Sequence, residues 1–199
     1  MKAILILAAA FGVLALASVS YTVAADANSP AVAKAPDFTA IDYKGENIKL
    51  SDYHGKVVVL EWLNPDCPFV QRHYREGTFK KLAEKYGSEG LVWLAVNSTS
   101  TQDAARSADW AKQNGLPYPI IVDEDGHVAK LFGAKTTPHL FVIGRNGELV
   151  YQGAVDDDPN GDKKQRNVYV ASAIEAALTG KLPATRETKS YGCSVKYRN

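Results

Sequence analysis

The chain has 199 residues, 46% of them hydrophobic, enough for one domain with a sizeable core. Its 23 basic residues nearly balance 22 acidic ones, for a formal net charge of +1. No large single-sign field is available, which argues against binding nucleic acid or an anionic membrane surface through charge.

The first residues read as an export signal. Met1-Lys2 supplies a positive start, residues 3–17 (AILILAAAFGVLALA) an apolar run, and small residues follow. The expected signal peptide is 1–25, with cleavage at Ala17, Ala24 or Ala25 and the Ala24/Ala25 region favoured. A spanning helix needs about 20 apolar residues, more than this run supplies. An uncleaved N-terminal anchor is the alternative, and only then is membrane association expected. The mature chain is thus expected in the periplasm or secreted, where disulfides persist. Two cysteines permit one intramolecular bridge.

Residues 26–36 are small, polar and proline-bearing, a linker. In 37–56 alternation at Phe38/Ala40 and Ile48/Leu50 around Lys44-Gly45 predicts a β-hairpin. Residues 57–63 (VVVLEWL) are nearly all apolar, the pattern of a strand buried on both faces. After Cys67 a helical stripe runs through Phe69, Val70, His73 and Tyr74, and restarts at Thr78, a candidate N-cap. A buried strand at 91–96 and an amphipathic helix over 101–115 follow, then a strand at 118–123 and a short helix over 126–134. Strands at 139–144 and 148–155 are joined by Arg145-Asn146-Gly147, a hairpin signal. Asn167 is expected to cap a last helix with Val168, Ala171, Ile174 and Leu178 on its inner face. Residues 181–199 form a polar tail carrying Cys193. The order predicts a mixed α/β sheet in one domain, 37–180.

Cys67 falls where a buried strand ends and a helix begins, so unpaired N–H groups and the helix dipole favour its thiolate. Pro68 suits the first helical turn. Arg72 and Arg75 lie within the next two turns and are expected to add positive field. Glu61, inside an apolar strand, is costly there unless it has a role or a partner. It is either a proton carrier for the thiol or one half of an ordinary ion pair with a lysine. Thr137-Pro138 stands just before a strand, as a plain trans-proline loop or as a cis turn. Cys193, in an oxidising compartment, is expected to pair with Cys67, structurally or as a resolving thiol. The bland alternative for Cys67 is a small buried hydrophobe.

Two metal readings carry less weight. His73 and His139 make a Cys/His copper site at Cys67 conceivable. Asp156, Asp158, Asn160 and Gly161 mimic the start of a calcium loop, but Asn167 stands where the bidentate glutamate belongs, so a solvated acidic turn is the better reading. No metal and no cofactor is expected. The three tryptophans read as core.

The segments LSDYHGK, KVVVLEWLNPDCPFV, TTPHLFVI and GCSVKY together resemble the thioredoxin-like superfamily, and within it the peroxiredoxin-like branch of the alkyl hydroperoxide reductase/thiol-specific antioxidant proteins. That resemblance, over about 35–197, implies a central mixed sheet flanked by helices, with an N-terminal hairpin and a C-terminal tail. It implies that Cys67 is the nucleophile, Glu61 the buried carboxylate and Pro138 a cis-proline beside the sulfur. Val70 replaces the second cysteine of a C-x-x-C dithiol. Leu60 and Asn64 stand at the proline and threonine positions of the peroxiredoxin motif, leaving Asn64 as a substitute hydrogen-bonding group. Asn64, Pro68, Thr137 and Arg72 are thus the candidates for binding substrate or steadying the thiolate.

Three readings follow. The first is an antioxidant enzyme that reduces hydroperoxides at Cys67, with Cys193 resolving the sulfenic acid and an external thiol reductant restoring the pair. The second is a thiol–disulfide oxidoreductase acting on exported proteins. The third is a redox-inert binding module on the same fold.

Overall fold

The computed structural model describes residues 32–197. The expected signal peptide, 1–25, and the first part of the linker lie outside the described residues. The linker's remaining stretch already touches the domain: Ala35 N–H donates to Gly147 O at 2.9 Å.

The hairpin forms as β1 (Thr39–Ile41) and β2 (Asn47–Lys49), antiparallel with Ala40 opposite Ile48. Its turn is set by Asp42, whose Oδ1 accepts the N–H groups of Lys44 and Glu46 at 2.8 and 2.9 Å. β3 (Val57–Leu63) is buried at all seven positions and occupies the centre of a five-stranded sheet. It runs parallel to β4 (Leu91–Asn97), which runs parallel to β5 (Ile120–Val122). On its other side lie β7 (His139–Ile143) and β8 (Leu149–Gly153), antiparallel to their neighbours. The Asn-Gly hairpin is where the sequence puts it, with Gly147 at φ +83°.

Alternation along β3 divides the core. Val57, Val59 and Leu63 face one side, with Cys67, Val70, Phe79, Trp93 and Ile174. Val58, Leu60 and Trp62 face the other, with Phe38, Phe132 and Phe141. The first side is covered by α1 (Pro68–Glu76), α2 (Thr78–Gly87), α3 (Ala104–Asn114) and α5 (Tyr169–Leu178). The second is covered by the hairpin and α4 (His127–Phe132).

Two helix boundaries differ from expectation. The break between α1 and α2 is made by Gly77 at φ +68°, which ends one helix and caps the next, and Thr78 is already helical. The last helix is capped by Val168 without a side-chain bond. Asn167 instead pairs through its backbone with Asp157. The fully buried face of α5 is Val170, Ala173, Ile174 and Ala177, while Val168 and Leu178 of the predicted stripe pack half-buried against the same core and Ala171 does not join it. α3 meets expectation, with Asp103 Oδ1 accepting Arg106 N–H at 2.9 Å and Gly115 ending it at φ +55°. Of the tryptophans, Trp62 and Trp93 are core, while Trp110 is only half-buried.

The tail does not hang free. Thr188 is stitched to β8, its N–H donating to Gln152 O at 3.1 Å and its hydroxyl accepting from Ala154 N–H at 2.9 Å. Further on, β9 (Cys193–Ser194) pairs antiparallel with β6 (Thr136–Thr137), Cys193 standing opposite Thr137. Val195 N–H donates to Lys135 O at 3.2 Å, and the Tyr197 hydroxyl to Ala134 O at 2.8 Å. Among the described residues, no helix is long and apolar enough to cross a membrane.

Candidate active site

Cys67 is the N-cap of α1, with extended backbone, and Pro68 fills the first helical position. The loop before it is self-contained: Asn64 O accepts Cys67 N–H at 3.0 Å, and Asn64 Oδ1 accepts Asp66 N–H at 2.9 Å. This carbonyl and amide oxygen of Asn64 therefore shape the turn. Asp66 in turn meets Arg106 at 3.1 Å and Gln102 at 2.7 Å.

The cysteine is 1% exposed, under the Thr137-Pro138 turn and the docked tail. The Thr137–Pro138 peptide bond is cis. In its neutral form Cys67 Sγ donates to Thr137 O at 2.9 Å. Because Cys193 pairs with Thr137 across the β6–β9 ladder, that residue joins both sulfurs. Both are free thiols. Burial pushes the Cys67 pKa up, but hydrogen bonds from the Cys193 thiol, the Thr137 hydroxyl and the N–H groups of Val70 and Cys193 together outweigh it. The pKa falls below the ordinary thiol value. Cys193 moves the opposite way, raised by its own burial and by Cys67. The two sulfurs are thus shifted in opposite directions, Cys67 toward the thiolate and Cys193 toward the thiol that donates to it.

The tail reaches this position through Gly192, at φ +125°. A Cβ there would sit 2.1 Å from Thr137 O, so only glycine lets the two backbones approach so closely.

Glu61 lies on the Cys67 side of the sheet, alternating with Val59 and Leu63, and is fully buried. Its Oε2 accepts from the Trp93 indole N–H at 2.8 Å, so the partner is an indole rather than a lysine. Among the described residues Oε1 makes no direct hydrogen bond, and the buried hydroxyls of Tyr74 and Tyr118 lie close enough to act on the carboxyl. Burial raises the carboxyl to about 8, against the lowering influence of Trp93 and the two tyrosines. A proton on Glu61 is therefore exchangeable near neutral pH.

Arg72 does not face Cys67. Its Nη2 donates to the Tyr191 hydroxyl at 3.2 Å, and Nη1 lies 3.9 Å from Asp158. The expected positive field on the sulfur comes instead from N–H and O–H donors. His73 is buried against Tyr191 and Thr78, and His139 Nδ1 accepts Lys135 N–H at 3.2 Å. Among the described residues, no group of three or more His, Cys, Asp or Glu is placed to hold a metal ion. In the acidic turn, Asp158 Oδ1 is taken by the N–H groups of Gly161 and Asp162, and Asp156 by Tyr191. The residues that the sequence reading missed are Tyr191 and the Trp93/Tyr74/Tyr118 surround of Glu61. An aromatic two places before the tail cysteine was the available signal for the first.

The model of the AhpC/TSA family matches residues 32–152. The chain belongs to this family. It is 32% identical over 139 residues to the thiol-disulfide oxidoreductase ResA of Geobacillus kaustophilus, covering 67% of this chain and 78% of that protein. Two ResA proteins from Bacillus thuringiensis and Bacillus cereus match over 66% of their own length, so the chain spans just under two thirds of them. Among solved structures, an uncharacterized conserved protein from Geobacillus kaustophilus superposes with a TM-score of 0.77 at 28% identity, over 85% of this chain and 93% of the other. A thiol:disulfide interchange protein DsbE from Chlorobium tepidum gives a TM-score of 0.55 at 28% identity, over 61% of this chain and 82% of that one. The thioredoxin-like fold and the redoxin family expected from the sequence are thereby met. The named relatives are named for thiol–disulfide exchange.

Proposed function

We propose that the protein is an exported thiol–disulfide oxidoreductase whose redox couple is Cys67 with Cys193, a dithiol assembled from the two ends of the domain. The observation that carries this is the β6–β9 pairing, which sets Cys193 opposite Thr137 while Cys67 Sγ donates to the carbonyl of the same Thr137.

The Cys67 thiolate attacks one sulfur of a protein disulfide, and the other sulfur leaves as a thiolate that takes up a proton from solvent. A mixed disulfide joins Cys67 to the substrate. Cys193 then loses its proton and attacks Cys67 Sγ, so the substrate's second sulfur leaves as a thiolate and takes up a proton. The substrate has gained two electrons and two protons, and the enzyme holds a 67–193 disulfide. An external dithiol reductant returns the pair to two thiols by the same exchange. Glu61 is the local proton carrier, since its carboxyl changes state near neutrality. Thr137, Pro138 and Pro68 hold the geometry. Asn64 shapes the loop, and Arg72 acts on the tail rather than on the sulfur. Export to the periplasm or beyond, by the expected signal peptide, suits a substrate class of exported disulfide-bearing proteins.

Reduction of insulin or of a scrambled disulfide protein tests this reading. Turnover is expected, lost in Cys67→Ser and stalled at a trapped mixed disulfide in Cys193→Ser. Absence of turnover combined with rapid hydroperoxide consumption would transfer the couple to the antioxidant reading. The burial of Cys67, which a small peroxide penetrates more readily than a protein does, is the observation in favour of that alternative.

A further inference from the structure

The β6–β9 ladder that presents Cys193 is only two residues long on each side. Ladders so short are marginal in water, and a slip of one residue would turn the cysteine to the opposite face. Something else must fix the register. Two residues upstream, Tyr191 enters a buried polar socket that the redox chemistry does not use. Its hydroxyl lies 2.5 Å from Asp156 Oδ1, 2.9 Å from His73 Nε2 and 3.2 Å from Arg72 Nη2. Its ring packs on Phe69 at 6.0 Å between centroids and on His73 at 6.2 Å, the latter nearly parallel.

The Asp156 carboxylate, 3.4 Å from Arg166, accepts the phenolic O–H. His73 Nε2 lies 2.9 Å from the Tyr191 oxygen and 3.1 Å from Arg72 Nη2, and its Nδ1 faces the Thr78 hydroxyl at 3.4 Å. Burial, reinforced by Arg72, lowers the His73 pKa to about 3, so the ring stays neutral throughout the working range. The tyrosine oxygen is thus held from three directions.

Three of the four residues that contact Tyr191 here, namely Phe69, Arg72 and His73, belong to α1, the helix capped by Cys67. The element that aims the nucleophile also grips the tail. We propose that Tyr191 is a positioning residue for Cys193: its hydroxyl, seated between α1 and Asp156, holds β9 in register so that the two sulfurs meet. This rests on the reading of Cys67 and Cys193 as the redox couple. It adds a residue that touches neither sulfur and is needed in both redox states.

Tyr191→Phe is the test, since it keeps the ring and removes only the hydroxyl. Two measurements separate the latch from the couple. In a glutathione redox titration with alkylation and mass mapping, the effective concentration of Cys193 at Cys67 is expected to fall at least tenfold. That corresponds to a rise of about 30 mV in the potential of the pair. In a Cys193→Ser background, where no intramolecular bridge can form, hydrogen exchange at Val195 N–H should accelerate at least tenfold on adding Tyr191→Phe, while exchange in β3 stays unchanged. An unchanged rate at Val195 overturns the latch. Faster exchange with an unchanged potential overturns the claim that the latch positions Cys193. If the unsubstituted protein forms no 67–193 disulfide, the couple itself fails and the proposed role falls with it, and Val195 exchange then reports only the anchoring of the tail.

Discussion

Replacing Glu61 with Gln isolates the buried carboxyl. Glutamine has the shape of a protonated glutamate, and its amide oxygen can still accept from the Trp93 indole. The carboxyl is raised in the folded protein to about 8 from an ordinary 4.5, first by burial. The sign follows directly. Below about 4.5 the group is neutral in both folded and unfolded chains and has no effect on pH dependence. As pH climbs from 4.5 to 8 the unfolded chain ionises while the folded one cannot, so stability is lost across that window. Above 8 the loss is complete, and at about 1.4 kcal/mol per unit it is on the order of 5 kcal/mol. The assay is urea denaturation of reduced protein at pH 5 and pH 9. The variant is expected to gain several kcal/mol on its parent between the two pH values, through a shift in midpoint with an unchanged slope. A gap between the two proteins that is the same at pH 5 and pH 9 would refute the reasoning, because Glu61 would then not be titrating where its surroundings put it.

Other outcomes follow from the same site. Alkylation of Cys67 by a small reagent should show a midpoint below the ordinary thiol value, and Cys193→Ala should move it upward by removing a thiol hydrogen bond and releasing the tail; thiolate reactivity is present above that midpoint and fades as pH falls through it. Gly192→Ala sets a Cβ 2.1 Å from Thr137 O at a φ of +125°, so the tail strand should lift and Cys193 alkylate faster, with strain on the order of 1–3 kcal/mol felt locally rather than as global unfolding. Asp103→Ala removes the cap of α3 and should lower stability by about 1 kcal/mol in thermal or urea unfolding, with no change in the potential of the cysteine pair.

Most of the scaffold is legible in the residues. Val57–Leu63 is apolar at nearly every position because the strand is covered on both faces, and the Asn-Gly pair fixes the β7–β8 hairpin locally. Cys67 with Pro68 could be placed at a strand-to-helix junction for the same local reason. Along α5, Val168, Ile174 and Leu178 reach the core as their spacing predicts, but alanines are frequent there, so apolar spacing alone does not distinguish Ala171 from the buried Ala173 and Ala177. The tail was the larger miss. Residues 181–197 look polar because many of their partners are backbone groups and a buried carboxylate, and the few apolar contacts, by Leu182, Val195 and Tyr197, are scattered along the segment. Long-range pairing such as Cys193 with Thr137, or Tyr191 with Asp156, leaves no periodic trace. Arg72 was misassigned likewise, since spacing along a helix gives distance from Cys67 but not which neighbour occupies that side.

The Thr137–Cys193 pairing has a bearing on biogenesis. In the proposed couple the two sulfurs come from an early strand–helix junction and from a segment beyond the last helix, so the scaffold can be complete while its electron-donating pair is not. A molecule clipped between α5 and Cys193 would retain its five-stranded sheet and helices yet carry a solitary sulfur, able to seize a partner but not to let it go. The integrity of the segment leading to Cys193, rather than of the fold, then decides whether such a molecule turns over or becomes a dead-end adduct.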